Sequence, residues 1–119
     1  MTTSATAPNT PPLREQRCTP VAAGEGLDTA QIQDLLVQLP QWRLVDRALE
    51  RRFGFPDFHR TMAFVNGIAW IAHREDHHPD LAVGYDYCTV RLHTHAVGGL
   101  SRNDFVCAAR IDALRGDSA

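Results

Sequence analysis

Residues 56–92 read PDFHRTMAFVNGIAWIAHREDHHPDLAVGYDYCTVRL, and a change of hydrophobic period inside this stretch decides the fold. Phe58, Met62, Val65, Ala69 and Ala72 recur at helical spacing, and Phe64, Ile68 and Ile71 widen the apolar arc. Pro56-Asp57 opens the helix. It must end near Asp76 to His78, because Pro79 disfavours α conformation at the residue before it. The period then drops to two. Leu81, Val83 and Tyr85 alternate as one strand, Cys88, Val90 and Leu92 face the core from the next, and a tight turn around Asp86 joins them.

Working outward, Asp28 and Gln31 form a capping box for a helix carrying Ile32, Leu35, Leu36 and Leu39, which Pro40 stops. Trp42 to Val45 and Ala48 to Phe55 read as two short strands, the second with Leu49, Arg51, Phe53 and Phe55 on one face. Gly98-Gly99 break the chain, and Ser101 caps a last helix with Phe105, Ala108, Ala109, Ile111 and Leu114. The order is α-β-β-α-β-β-α. Short connections favour antiparallel neighbours, so the expected class is α+β, a four-stranded antiparallel sheet with helices packed on one face.

Residues 1–26 hold four of the seven prolines (Pro8, Pro11, Pro12, Pro20) and almost no large apolar side chain. Such a composition predicts a flexible N-terminal extension ahead of one folded domain over residues 27–116. The 119 residues suffice for a single modest core. Net charge is −2, and the basic residues are all Arg, spread along the chain, which argues against nucleic acid as a charge-driven partner. Three cysteines without a C-x-x-C pair (Cys18, Cys88, Cys107) point to reduced thiols in a cytoplasm. With neither a signal-type h-region nor a membrane-length apolar run, a soluble, unexported, cytoplasmic protein without membrane partners is expected.

The polar residues that remain concentrate between His73 and Asp104. His77 and His78, one helical and one extended, present imidazoles in different directions and could grip a small polar group from two sides. Read alone, a solvated helix end explains the pair as well. His95 closes the fourth strand on the face opposite Cys88, Val90 and Leu92, and Thr94 could orient a neighbouring imidazole through its hydroxyl; a strand-end histidine can equally be bland. His93 reads as exposed and His59 as a surface residue. Asp104 is explained by capping the last helix. His73 and His77 are spaced i, i+4, which could hold a metal ion, but no further ligand pattern accompanies them. Trp42 suits a core position or a stacking surface for a flat heterocycle. Tyr85 is expected to pack.

Taken together, His73-x3-His77-His78-Pro79-x5-Tyr85-x9-His95-x8-Asp104 resembles the signature of the pterin-4a-carbinolamine dehydratase family. The resemblance runs from about Leu27 to Leu114 and includes Leu39-Pro-Gln-Trp42, Phe53-Gly-Phe55-x-Asp57-Phe58 and Gly99-Leu100-Ser101. It implies an enzyme that removes water from 4a-hydroxytetrahydropterin to give quinonoid dihydropterin, in recycling the cofactor of aromatic amino-acid hydroxylases. His77, His78 and His95 are then catalytic, with His78 the acid towards the departing hydroxyl and the other two holding substrate or accepting a proton. Trp42, His73, Pro79, Thr94 and Asp104 are expected at the substrate. No metal and no cofactor are implied, because the pterin is itself the substrate. Homodimers or homotetramers with the long helix at an interface are implied too. His73 stands where many members carry Glu, so its fixed negative charge is missing here. Other readings are a non-catalytic assembly or regulatory protein of the same fold and a histidine-based metal-binding protein.

Overall fold

The computed structural model describes residues 10–116. Its elements are α1 (Thr29–Leu36), β1 (Arg43–Val45), β2 (Ala48–Gly54), α2 (Phe58–Glu75), β3 (Asp80–Val83), β4 (Tyr87–Leu92) and α3 (Arg102–Arg115), with two short 3-10 turns, Leu13–Glu15 and His95–Val97. The four strands form one antiparallel sheet in the order β1-β2-β4-β3. The expected α+β class is therefore the observed one.

Local chemistry sets the boundaries. The Asp28 carboxylate accepts from Gln31 N while the Gln31 side chain accepts from Asp28 N, closing the anticipated box on α1. Asp57 caps α2 through a bond from Arg60 N at 2.8 Å. Asp46 and Arg47 both have positive φ, 47° and 66°, the geometry that lets a two-residue turn follow the twist of the β1–β2 hairpin. On the sheet, Leu49 and Phe53 of β2 and Cys88, Val90 and Leu92 of β4 are buried beneath the helices, whereas the alternate residues Glu50, Arg52, Thr89 and Arg91 are not. This period-two division puts all the helices on one face.

Four expectations need correcting. First, β3 stops at Val83, and Tyr85 lies in the turn that Gly84 N closes by donating to Tyr87 O at 2.9 Å. β3 is an edge strand, and all four of its residues are exposed. Second, β4 ends at Leu92, so His95 does not close a strand; Thr94 makes an isolated bridge to Gly99, and His95 begins a 3-10 turn. Third, Phe64 and Ile68, expected only to widen the apolar arc of the long helix, face its own core. They share the inward stripe of Thr61, Ala72 and Glu75 and leave Phe58 and Trp70 as the large exposed apolar residues of α2.

The fourth concerns the N-terminus. Residues 1–9 lie outside the described residues, but residues 10–26 do not form a free extension. Leu13 is only 4% exposed and joins the core. The backbone that follows is tied down by polar bonds. Arg110 bonds Gln16 O, Glu75 accepts from Cys18 N at 2.8 Å, and Asn103 exchanges two bonds with Thr19, at 3.0 and 2.7 Å. This strap explains why α3 is buried on nearly every side, from Asn103 to Ala109 and again at Ile111 and Asp112. Composition suggested disorder because it counts apolar side chains, and most of the strap's anchors are backbone groups.

Candidate active site

The site is built where the end of α2 meets the start of α3. Asp76 adopts the left-handed conformation, φ 52°, and His77 N donates to Ala72 O at 3.2 Å, a helix end that folds the chain back on itself. The reversal turns the His77 ring towards the first turn of α3. There its Nε2 lies 2.6 Å from Asp104 Oδ1.

Asp104 is fully buried, and its second oxygen is satisfied too. Oδ2 accepts from the Thr94 hydroxyl at 2.7 Å and from Ser101 N at 2.9 Å. The Ser101 hydroxyl sits 2.6 Å from Thr94 Oγ1 and can donate to it, since Thr94 spends its own proton on the carboxylate. The chain Ser101–Thr94–Asp104–His77 thus fixes the imidazole, and an ionised Asp104 requires the proton on Nε2. The bond to Asp104 leaves Nδ1 as the other ring nitrogen.

Charge follows geometry. Burial works against a charged His77, but the bond to Asp104 and that carboxylate's charge outweigh it, with smaller help from Cys18 and Asp76, so its pKa lies above the ordinary imidazole value. A raised folded value adds stability that is complete below the unfolded value of 6.5 and is lost as pH rises through the folded one. Wild-type unfolding midpoints should therefore decline as pH rises above the unfolded value of 6.5 and through the folded one. Asp104→Asn should flatten that slope and cost roughly 1–2 kcal/mol at the acid end, as measured by urea unfolding across the range. An unchanged slope would show that the pair does not ionise as the geometry requires.

The other expected site residues divide into groups. His78 and His95 are exposed, His78 in the extended segment before Pro79 and His95 in the loop whose ends Thr94 and Gly99 hold together; Thr94 N donates to Gly99 O at 2.7 Å. His73 is exposed one helical turn before His77, and Pro79 is half-buried. Thr94 and Asp104, expected at the substrate, are buried behind His77, where they orient it. Trp42 departs furthest from expectation. It is 3% exposed, meets Phe53 edge-on at 6.1 Å, and donates Nε1 to Asp112 Oδ1 at 2.8 Å. Asp112 lies eight residues beyond Asp104, about 12 Å further along α3 at 1.5 Å per residue. In this position Trp42 is a core residue and offers no open face to a heterocycle.

The sequence reading missed Glu75. Buried two residues before His77, it binds Cys18 N and pairs with Arg17 Nε at 2.9 Å. Burial pushes its pKa up, but the Cys18 N–H, Arg17 and Arg110 together hold it below the ordinary carboxylate value. A signal was present, because Glu75 continues the inward stripe of Thr61, Phe64, Ile68 and Ala72 at helical spacing. A charge on such a stripe demands partners.

Among the described residues, no group of three or more His, Cys, Asp or Glu could hold a metal ion, and the Nε2 of His77 is already engaged by Asp104. No described helix is long and apolar enough to cross a membrane.

This fold, with its His-His-Pro corner between two helices, places the chain in the pterin dehydratase class of α+β proteins. A transcriptional coactivator/pterin dehydratase from Brucella melitensis superposes with a TM-score of 0.72 at 31% identity, covering 75% of this chain and 97% of that one. The family model for pterin 4 alpha carbinolamine dehydratase matches residues 25–114, and the chain belongs to that family of lyases. Candidate pterin-4-alpha-carbinolamine dehydratases of Nitrosomonas europaea and Stenotrophomonas maltophilia are 52% and 55% identical to it. The matches cover 86% and 87% of this chain and 92% and 91% of theirs. A further structural neighbour, with a TM-score of 0.56 and 28% identity over 65% of this chain and 89% of its own, is a pterin dehydratase-like protein described as a RuBisCO assembly factor in the alpha-carboxysome.

Proposed function

We propose that the chain dehydrates a 4a-hydroxytetrahydropterin to the quinonoid dihydropterin by imidazole acid–base catalysis. In that reaction the N5 lone pair expels the C4a hydroxyl, which leaves as water once protonated, and a ring proton passes to a base. One acid and one base suffice, and neither a metal nor a further cofactor is required. The observation that carries the reading is the buried His77–Asp104 bond, backed by Thr94 and Ser101. A carboxylate held out of water behind an imidazole fixes that ring's tautomer and strengthens its charged form, features acid–base work uses. His78 is assigned to the departing hydroxyl. Its ring is exposed and can meet a substrate, whereas His77 is anchored and suits holding the pterin or taking the ring proton, a part His95 could share. Synthetic 4a-hydroxytetrahydropterin tests the assignment, with loss of its absorbance accelerated over buffer and insensitive to chelator as the expected result. No acceleration would overturn it.

The resemblance of this chain to a neighbour described as an assembly factor favours a second reading, a non-catalytic scaffold. The intact His77-His78-Pro79 corner weighs against it. A functional link to an aromatic amino-acid hydroxylase and a cytoplasmic location belong to the enzymatic proposal.

Assembly into dimers or tetramers is part of the same proposal, now resting on Phe58 and Trp70, which are 48% and 61% exposed on α2. Light scattering at micromolar concentration should report more than one chain per particle, and Trp70→Glu should lower that number. A monomeric wild type would count against the assembly.

A further inference from the structure

Two of the three cysteines meet where the strap crosses α3. Cys18 Sγ lies 3.6 Å from Cys107 Sγ, although the two are 89 positions apart in the chain. Cys18 is half-buried, and Cys107 is 1% exposed. The dehydratase reading uses neither thiol. We propose that Cys18 and Cys107 form a redox-active pair, which hydrogen peroxide oxidises to an intramolecular disulfide fastening the strap to α3 beside the His77 corner.

The backbones carrying the two sulfurs are already clamped. Cys18 N is bound by Glu75, and the next residue, Thr19, exchanges two bonds with Asn103, which stands one helical turn before Cys107 on the same side of α3. Closing the remaining gap to a bond of about 2.05 Å needs side-chain rotation and a small approach, with no unfolding of the strap. Cys18 lies before the stretch that the family model matches, and Cys107 lies within it.

Environment makes the two thiols unequal. The hydrogen bond from Cys107 lowers the pKa of Cys18; burial and the charges of Glu75 and Asp104 oppose this, the charge of His77 assists it, and the net direction is down. The same bond, together with burial, pushes Cys107 up. Cys18 is thus the more accessible sulfur and the better thiolate, and Cys107 the resolving partner. The Cys18 thiolate attacks one peroxide oxygen, the O–O bond breaks, and the leaving hydroxide takes a proton to become water. The Cys107 sulfur then attacks the sulfenic sulfur of Cys18, the S–O bond breaks, and hydroxide leaves with the Cys107 proton as a second water. Two thiols and one peroxide give one disulfide and two waters, and a dithiol reductant reverses the change.

The test uses the full chain under mild hydrogen peroxide. Maleimide-reactive thiols counted after denaturation should fall from three to one, leaving Cys88, which is fully buried in the sheet. A non-reducing digest should join the Cys18 and Cys107 peptides, and the melting temperature should rise by roughly 5–10 °C, reversibly with dithiothreitol. In Cys107→Ser, a sulfenic acid at Cys18 should become trappable by a cyclic diketone, while Cys18→Ser should lose both the cross-link and the thermal shift. Cross-links between chains, a linkage that includes Cys88, or an oxidised form that survives in Cys18→Ser would each overturn the proposal.

Discussion

Replacing His78 with alanine is expected to lower the turnover number for 4a-hydroxytetrahydropterin by at least about tenfold, the lower edge of what a positioned general acid contributes. Stability should barely change. His78 is exposed and its main chain is set by the left-handed Asp76 on one side and by Pro79 on the other, so removing the ring leaves the corner in place. His93→Ala is the matched control, because its ion pair among the described residues is an exposed 3.6 Å contact with Asp80. His77→Ala should differ from both, losing stability as well as rate, since it strips Asp104 Oδ1 of its partner inside the protein. Double variants should cost less than the product of the single losses if the imidazoles serve one hydroxyl. If His78→Ala turns over like wild type, the acid assignment fails and the assembly reading takes its place.

How much of this was readable beforehand depends on the kind of interaction. Elements fixed by hydrophobic period and capping were legible. The period-two face of Cys88, Val90 and Leu92 and the Asp28–Gln31 box are local patterns that appear where they were expected, and α2 was legible as a helix, but its buried stripe of Thr61, Phe64, Ile68, Ala72 and Glu75 lies beside the expected one of Phe58, Met62, Val65 and Ala69. The His77-His78-Pro79 corner and its distant partner Asp104 could be paired only through the family resemblance. Composition has no means of bringing residues 27 positions apart to 2.6 Å. Trp42 shows the opposite limit. A tryptophan after a proline fits both a core and a stacking surface, and what decided between them was Asp112, a carboxylate one helix away that its indole N–H could reach. Polar anchoring was the least visible of all. Glu75, Asn103 and Arg110 hold the strap through backbone groups, and a backbone N–H or C=O carries no residue-type signature.

The strap supplies the second large effect. A chain beginning at Gly26 was expected from composition to melt and react like the whole protein; the structure makes it substantially weaker. Deleting residues 1–25 removes Leu13 from the core, worth roughly 1.5–3 kcal/mol of burial. It also takes Arg17 and the Cys18 N–H from Glu75, whose side chain is 1% exposed, leaving a buried carboxylate with Arg110 as its nearest remaining cation at 3.8 Å. Losing partners from a buried charge typically costs about 3–5 kcal/mol, and the new freedom of water to enter and of Arg110 to approach recovers part of that. A net loss of about 4–6 kcal/mol is a large share of the stability of a domain this size. Urea unfolding of the two chains side by side reads it directly. Glu75→Gln in the full chain separates the two contributions, because an uncharged amide lowers the penalty for the missing partners while leaving Leu13 in place. It should therefore cost far less than the deletion, and Glu75→Gln combined with the deletion should recover part of the loss. Should the shortened chain unfold at the same urea concentration as the whole, the strap rests on α3 without holding it, and its bonds to Glu75 and Asn103 carry no net free energy.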